Sequence, residues 1–391
     1  MTIKSSGSQL SFTEIEEEFG SNPGRTLGKY RSTHPDFGNK NLGALSGLPL
    51  DTGIPVDGEI KFSDFYGKKL NMVVDYYADT GSAGGEADNV LNRQDDDANT
   101  MAATWRYNNQ SDRVKVVGGY RSRPTGSVSG YNLSSSSWQG GKKVFIHVNT
   151  NVGGVKALSA ADRNKVALRT GGWPANTTLQ IDIGSSGRLQ GAGGNGRQGN
   201  TSSGTPDAAF TGTSGLGIEY PAQINNSGII RCGYGGGGGG AGSWSDPNKN
   251  PRAFGRSGGG GGGGAGIPVG FGGAENAGGY GNTGKGTDLS DQAGRGKAGG
   301  DATFDAGGNG GDGGDHGEGG GEAGDGGNGG DIVDNPTSGS AGSPDRSGGE
   351  GGQPGSNGYG IIFSSSSVQS NSSGDKTIPA NQGGVIVGGI F

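Results

Sequence analysis

One cysteine, Cys232, stands among 391 residues, so neither a disulfide framework within the chain nor a cysteine-based zinc cluster can be built; a small buried apolar role is the simplest for it. Hydrophobic residues make up only 28%, low for a chain of this length, which argues against a single large core. Nowhere do about 18 apolar residues run together. The start, Met1 to Gly7, lacks the apolar centre of a secretory signal, and export by a cleaved signal is not expected. Basic charge is lacking too: the net charge is −6, with no field to draw phosphates, and no nucleic-acid partner is expected. There is no G-x-x-x-x-G-K-[ST] segment and no nucleophile motif. The three histidines, His34, His147 and His316, show no metal spacing, so the chain does not read as an enzyme.

What the chain has in excess is glycine, 93 residues, beside only 15 prolines, which excludes the collagen pattern. Between Arg231 and Gly360 glycine fills 53 of 130 positions, with unbroken runs at Gly235 to Gly240 and Gly258 to Gly264. A flexible linker is one reading. The other is a bundle of polyglycine II helices, left-handed, about three residues per turn with about 3.1 Å rise and no internal hydrogen bonds. Glycine lets such backbones touch, and their N–H and C=O groups then bond between neighbours, replacing a hydrophobic core. Glycine pays the largest ordering entropy, so each such helix must be surrounded.

Residues 1 to 70 read as a small module. Ser11 caps a helix with Glu14 three places on, Leu10 and Ile15 form a hydrophobic staple, and Gly20 ends it. Phe12, Ile15 and Phe19 then share one stripe. The segment Gln9 to Ile15 recurs as Glu59 to Phe65, joined across a Gly/Pro-rich connection, Leu42 to Gly58. From 71 to 178 strand signals dominate. Val144, Ile146 and Val148 alternate, and Leu179, Ile181 and Ile183 repeat the period; Asp79 to Asn109 reads as a long surface excursion. A second repeat, Ile183-Gly-Ser-Ser-Gly-Arg-Leu189 against Ile224-Asn-Asn-Ser-Gly-Ile-Ile230, looks like stacked strand–turn–strand rungs, each feeding a glycine cluster. The expected class is mainly β, with a small N-terminal α/β docking module at 1–70, a β-rich middle domain at 71–178 and a glycine-rich, polyglycine II-like distal domain at 179–391.

The segments Ser11 to Gly20 and Ser63 to Gly67 resemble the short N-terminal modules of phage virion proteins, S-x-[ST]-[DE]-I-x-x-E-F-G followed by S-[DEN]-F-Y-G. The resemblance implies attachment to the particle, with Phe12, Ile15, Phe19, Phe62, Phe65 and Tyr66 as docking candidates. Residues 179 to 266 resemble the C-terminal part of phage tail-tip and tail-fibre proteins, and are similar in style to T-even-like distal adhesins with polyglycine II sandwiches. The irregular glycine spacing departs from the even motifs of those adhesins and leaves the number of helices open.

The resemblance implies a virion tail location and other tail or baseplate proteins as partners. It also implies loops that touch a bacterial surface glycan or an outer-membrane protein. A homo-oligomer is expected, a trimer among the options, although no heptad argues for one. Ser243 to Ser257 is the leading loop, with Trp244, Lys249, Arg252 and Phe254 between pure glycine runs; rigid aromatics beside cations suit recognition. Phe271 and Tyr280 belong to the next insertion and Asp331 to Arg346 to a later one. These aromatics could equally fold back over glycine backbone. The alternative function is a non-adhesive baseplate, neck or capsid component.

No cofactor is expected apart from one candidate divalent-cation site. Asp301 to Asp334 holds nine acidic residues and no Lys or Arg, and Gly326 to Asp334 fits the calcium nonapeptide. Consecutive copies are absent, which argues against a calcium roll. Asp312, Asp315 and Asp331, with Glu318, remain the candidate oxygen ligands.

Overall fold

A computed structural model describes residues 3–19, 25–31, 51–69, 71–76, 114–117, 143–154, 156–157, 160–170, 175–199, 208–241, 243–244, 258–274, 297–313, 323–335, 337–341, 347–348 and 350–388. The excursion read at Asp79 to Asn109 lies outside them.

The N-terminal module forms as its capping signals dictate. Ser11 N–H donates to Glu14 Oε2 at 2.9 Å and Glu14 N–H to Ser11 Oγ at 3.3 Å, a capping box that starts α1, Phe12–Phe19. In the second copy Lys61 N–H donates to Asp64 Oδ2 at 2.7 Å and opens a single 3-10 turn, Phe62–Phe65. The repeat is therefore structural, and its equivalent residues Phe12 and Phe62 meet edge to face at 6.0 Å. Phe19, Tyr30 and Phe65 pack mutually edge-on with centroids 5.5 to 6.2 Å apart, and Ile3, Leu10, Ile15 and Ile54 close the core.

The middle of the chain winds into a three-sided parallel β-helix. One coil is β3 (Lys143–Val148), β4 (Asn151–Gly153) and β5 (Val166–Arg169). The next is β6 (Thr178–Ile183), β7 (Arg188–Gln190) and β8 (Ser214–Ile218), and the third opens with β9 (Ala222–Asn226) and β10 (Ile229–Arg231). After a long glycine-rich excursion that coil is completed by β13 (Ile361–Phe363). A short last coil contains α2 (Ser366–Asn371), β14 (Ser373–Gly374) and β15 (Val385–Val387). Parallel pairing stacks β3, β6, β9 and β14 on one side, β4, β7 and β10 on the second, and β5, β8, β13 and β15 on the third. The first side is widened by β1 (Met72–Tyr76), parallel to β3, and β2 (Val114–Val117), antiparallel to β1.

The alternating aliphatics drive this winding. Val144, Ile146, Val148, Leu179, Ile181, Ile183, Leu189, Leu216, Ile224, Ile230 and Phe363 form one shared core, each buried side chain contributing about 1.5–3 kcal/mol. The division expected at 178/179 falls between β5 and β6, successive turns of the same β-helix, because a coil cannot bury its inward face without the next. The rung repeat is also present, with an offset: Gly187 and Gly228 are stacked and Leu189 pairs with Ile230, but Ile224 pairs with Ile181 and not Ile183. The turn of the lower rung is two residues longer.

Glycine columns grow out of the β-helix corners. Column 191–199 continues β7, column 233–241 continues β10, and columns 208–213 and 350–358 lead into β8 and β13. The hydrogen bonds of column 258–266 rotate with a period of three. Gly259, Gly262 and Ala265 donate to Gly324, Gly327 and Gly330; Gly260, Gly263 and Gly266 donate to Lys297, Gly300 and Thr303; Gly261 and Gly264 donate to Arg197 and Gly194. It accepts from Gly237 and Gly240, from Gly270 and Gly273, and from Gly308 and Gly311. This column thus has six bonded neighbours, and the period is that of polyglycine II.

Column 233–241 is surrounded in the same way. It donates to columns 208–213, 258–266 and 337–341 and accepts from columns 191–199, 323–331 and 350–358. Eight columns close a ring around these two, in the order 191–199, 270–273, 297–303, 306–313, 323–331, 337–341, 350–358 and 208–213. The ring comes from one chain.

The irregular glycine spacing now has a cause. The two pure glycine runs are the two interior columns, crowded on every side. In column 306–313 two residues in three face neighbours and are glycine, while Asn309 and Asp312 take the exposed third position; column 323–331 repeats this with Asp325 and Asn328. Outward N–H groups, with no lattice neighbour, are capped by side chains from the adjoining column. Asp325, Asn328 and Asp331 accept from Gly313, Gly310 and Gly307 at 2.7, 2.8 and 3.4 Å.

Candidate functional site

Successive columns run in opposite directions, so their connections are sorted to two ends of the lattice. At the end nearest the β-helix lie three short turns, at 267–269, 304–306 and 331–335, each tied down. Gly154 N–H donates to Ile267 O at 2.8 Å. Asp305 bridges Arg188 at 3.1 Å and Arg231 at 2.6 Å, while Gln190 Nε2 donates to Phe304 O at 2.8 Å. Burial by itself would raise the Asp305 carboxyl; the hydrogen bond and charge of Arg188, joined by Arg231, outweigh it and hold the group below the ordinary carboxylate range. The third turn is fixed by its own Asp331, whose Oδ1 accepts from Val333 and Asp334 at 2.8 and 2.9 Å. Asn381 Nδ2 donates to Ile332 O at 3.2 Å.

The columns that flank residues 200–207, 242–257, 275–296, 314–322 and 342–349 reach those residues at the opposite end of the lattice. The candidate recognition surface is this far end. Within it the structure describes one piece, a two-stranded antiparallel ribbon of β11 (Ser243–Trp244) and β12 (Ser347–Gly348).

Trp244 therefore stands at the root of a far-end connection. Lys249, Arg252, Phe254 and Tyr280 lie outside the described residues. Phe271 is placed otherwise than read: the chain turns back at 267–269 and Phe271 sits in column 270–273, in the outward position between crowded glycines. Its N–H donates to Asn195 Oδ1 at 2.9 Å, and Lys156 Nζ lies 3.3 Å from its ring centroid while donating to Asn195 Oδ1 at 3.2 Å. The ring is covered by a cation of its own chain. The insertion read at Asp331 to Arg346 is also divided, into a turn at the near end, a column at 337–341 and part of a far-end connection, because Gly339 N–H donates to Gly352 O at 3.0 Å.

Of the docking candidates, Ile15, Phe19 and Phe65 are fully buried and hold the module together. Phe12 and Tyr66 are partly buried, the Tyr66 hydroxyl donating to Ser8 O at 2.5 Å. Phe62 is 40% exposed and Val56, which was not singled out from the sequence, is 54% exposed.

The acidic candidates have other partners. Asp312 pairs with Lys297 at 2.7 Å, Asp331 fixes its turn, and Asp315 lies outside the described residues. Among the described residues no group of three or more His, Cys, Asp or Glu could hold a metal. The G-G-N-G-G-D run that fitted the calcium nonapeptide is a glycine column with its polar third positions. The residues missed were the side-chain acceptors Asn195, Asp301, Asp325, Asn328 and Asn357, which take the N–H groups of Phe271, Gly272, Gly313, Gly310 and Gly235; for Asp325 and Asn328 the signal was visible as Asp/Asn at every third residue among glycines.

The described part of the lattice thus has three short turns bonded at the end nearest the β-helix. The chain belongs to the phage tail fibre adhesin Gp38 family, whose sequence model matches residues 121–344. It is a tail adhesin of the virion that serves host recognition. No curated protein matches the sequence. Among solved structures it is similar to the gp37-gp38 adhesin tip complex of the bacteriophage S16 long tail fiber, with 18% identity, a TM-score of 0.35, and coverage of 83% of this chain and 88% of that one.

Proposed function

We propose that this adhesin docks to other tail-fibre proteins through its N-terminal module and reads the bacterial surface with the connections at the far end of the lattice, without catalysing a reaction. The observation that carries this reading is the sorting of connections. Three short ones are bonded against the β-helix, and the long ones, among them 242–257 with Trp244, Lys249, Arg252 and Phe254, leave from the end that the scaffold does not use. Aromatics with cations nearby suit both sugar faces and protein loops. On the module, Phe62 and Val56 are the exposed large apolar side chains among its described residues and mark the docking face.

Binding of the purified full chain to intact host cells tests the first half. Saturable binding that drops in a Trp244→Ala, Phe254→Ala variant with unchanged melting supports it; equal binding by both assigns recognition elsewhere. For the second half, Phe62→Glu with Val56→Glu is expected to keep cell binding and to lose incorporation into the fibre. Normal incorporation would place docking on another face.

A further inference from the structure

Four Asn–Gly sequences occur in the chain, at 195–196, 309–310, 328–329 and 357–358, and all four lie in columns of the lattice. Asn–Gly is the dipeptide at which a chain most readily modifies itself. The glycine nitrogen, once it sheds its proton, attacks Cγ of the asparagine; the new C–N bond closes a cyclic imide, and the side-chain nitrogen leaves as ammonia. Water then opens the imide on one side to give aspartate, or on the other to give isoaspartate, whose backbone is longer by one carbon. Glycine favours the attack because no Cβ hinders the approach. Three of the four glycine N–H groups are held by backbone carbonyls: Gly196 donates to Phe271 O at 2.8 Å, Gly329 to Gly308 O and Gly358 to Gly233 O, both at 2.9 Å. These glycines are buried, and a neighbouring column cannot withdraw its carbonyl without opening the lattice. Gly310 differs. Its N–H points to the outside of the ring, and its acceptor is a side chain, Asn328 Oδ1 at 2.8 Å. Asn309 is exposed beside it, and Gly310 itself is half-buried.

We propose that Asn309–Gly310 is a latent deamidation site and that Asn328, on the next column, holds it shut. The Asn328 amide keeps the proton on the Gly310 nitrogen and holds the peptide against the rotation that attack on Asn309 Cγ requires. Asn328 is itself fixed: its N–H donates to Thr337 Oγ1 at 2.7 Å, and its carbonyl accepts from Thr337 N–H at 2.9 Å. On the other side Asn309 O accepts from Gly300 N–H at 2.8 Å, which resists the same rotation. Failure at this site has a specific consequence. Column 306–313 is bonded to the interior column through Gly308 and Gly311. An isoaspartate at 309 adds a backbone carbon between them, so the two bonds cannot both keep the threefold register. A tail adhesin is not renewed once the particle is assembled, and slow backbone chemistry accumulates over the life of the virion.

The test ages the purified full chain in mildly alkaline buffer, where the glycine nitrogen loses its proton more readily, and follows each site by peptide mapping with mass spectrometry. Unfolded in denaturant, all four sites are expected to react at similar rates; in the folded chain all four should be slowed, with Asn309 the fastest of them. Asn328→Ala removes the acceptor and is expected to speed deamidation at Asn309 roughly tenfold, the factor that one hydrogen bond carries, while Asn195 and Asn357 keep their parental rates. Asn328→Asp retains an acceptor in the same place and should leave Asn309 as slow as in the parent. As isoaspartate forms in aged Asn328→Ala, amide protection should fall first in column 306–313. The proposal is overturned if Asn309 reacts no faster in Asn328→Ala than in the parent, if Asn195 and Asn357 accelerate along with it, or if Asn309 reacts as fast in Asn328→Asp as in Asn328→Ala. Equal rates at Asn309 in the folded and the unfolded parent would overturn it as well.

Discussion

Three consecutive glycines at the centre of the lattice should fail in three different directions when given a methyl group. A Cβ on Gly261 would overlap Gly237 O, one on Gly262 would overlap Gly308 O, and one on Gly263 would overlap Gly270 O. Gly262→Ala must then push column 306–313 away. That column is held to 258–266 by Gly308 N–H donating to Gly263 O and Gly311 N–H donating to Gly260 O, both at 2.7 Å. Overpacking costs about 1–3 kcal/mol, and loosening the two bonds adds about 1 kcal/mol each. The expected loss is thus about 3–5 kcal/mol, a large part of the roughly 5–15 kcal/mol that a folded domain has. Asn309→Ala, in the exposed third position of the displaced column, should stay within about 0.5 kcal/mol. Chemical denaturation measures the difference, and amide exchange measures its direction: Gly261→Ala should deprotect column 233–241, Gly262→Ala column 306–313 and Gly263→Ala column 270–273. Equal stability of Gly262→Ala and Asn309→Ala, or the same deprotection pattern in all three alanine variants, would refute the threefold facing of the interior column.

The turn held by Asp305 should respond to acid. Its lowered folded-state pKa means that the carboxylate stabilises the fold at pH above the ordinary value of 3.8 and that this stabilisation is lost as pH falls below it; in Asp305→Asn that part of the acid dependence should vanish from pH-dependent melting curves, with lower stability at neutral pH. Burial pushes the Cys232 thiol up to about 12, so native protein should resist alkylation at neutral pH and react only after denaturation, as mass spectrometry would read. Phe65→Ala, at the centre of the N-terminal aromatic core, should cost that module about 3–5 kcal/mol, whereas Ser11→Ala should cost about 1 kcal/mol through its cap; protease susceptibility of residues 1–69 ranks the two. Phe271→Ala should leave cell binding unchanged, because the ring is engaged by Lys156 on the side of the lattice; a loss of binding would return Phe271 to the recognition surface.

Local chemistry was legible in the sequence wherever the structure depends on spacing along the chain. Ser11 and Glu14 announced their capping box, Val144 to Val148 and Leu179 to Ile183 announced two strands, and the two pure glycine runs offered backbones in close contact as one of two readings. A β-strand period of two and a polyglycine period of three are properties of one segment, and residue order displays them directly. Even the apparent calcium motif was informative, since a polar residue after every glycine pair is what a column with one free side requires.

Tertiary structure alone decided which columns touch and at which end each connection emerges. Polyglycine II has no internal hydrogen bonds, so every bond of a column is made to a chain segment elsewhere, and composition cannot name that partner. The pairing of Trp244 with Ser347, the turn at 267–269 that moved Phe271 from a loop into a column, and the Arg188–Asp305–Arg231 clasp are all of this kind. The sequence by itself left the glycine-rich part as either a linker or a bundle of packed backbones; the hydrogen bonds between columns distant in sequence, which only the tertiary structure supplies, decided for a closed ring of eight columns around two.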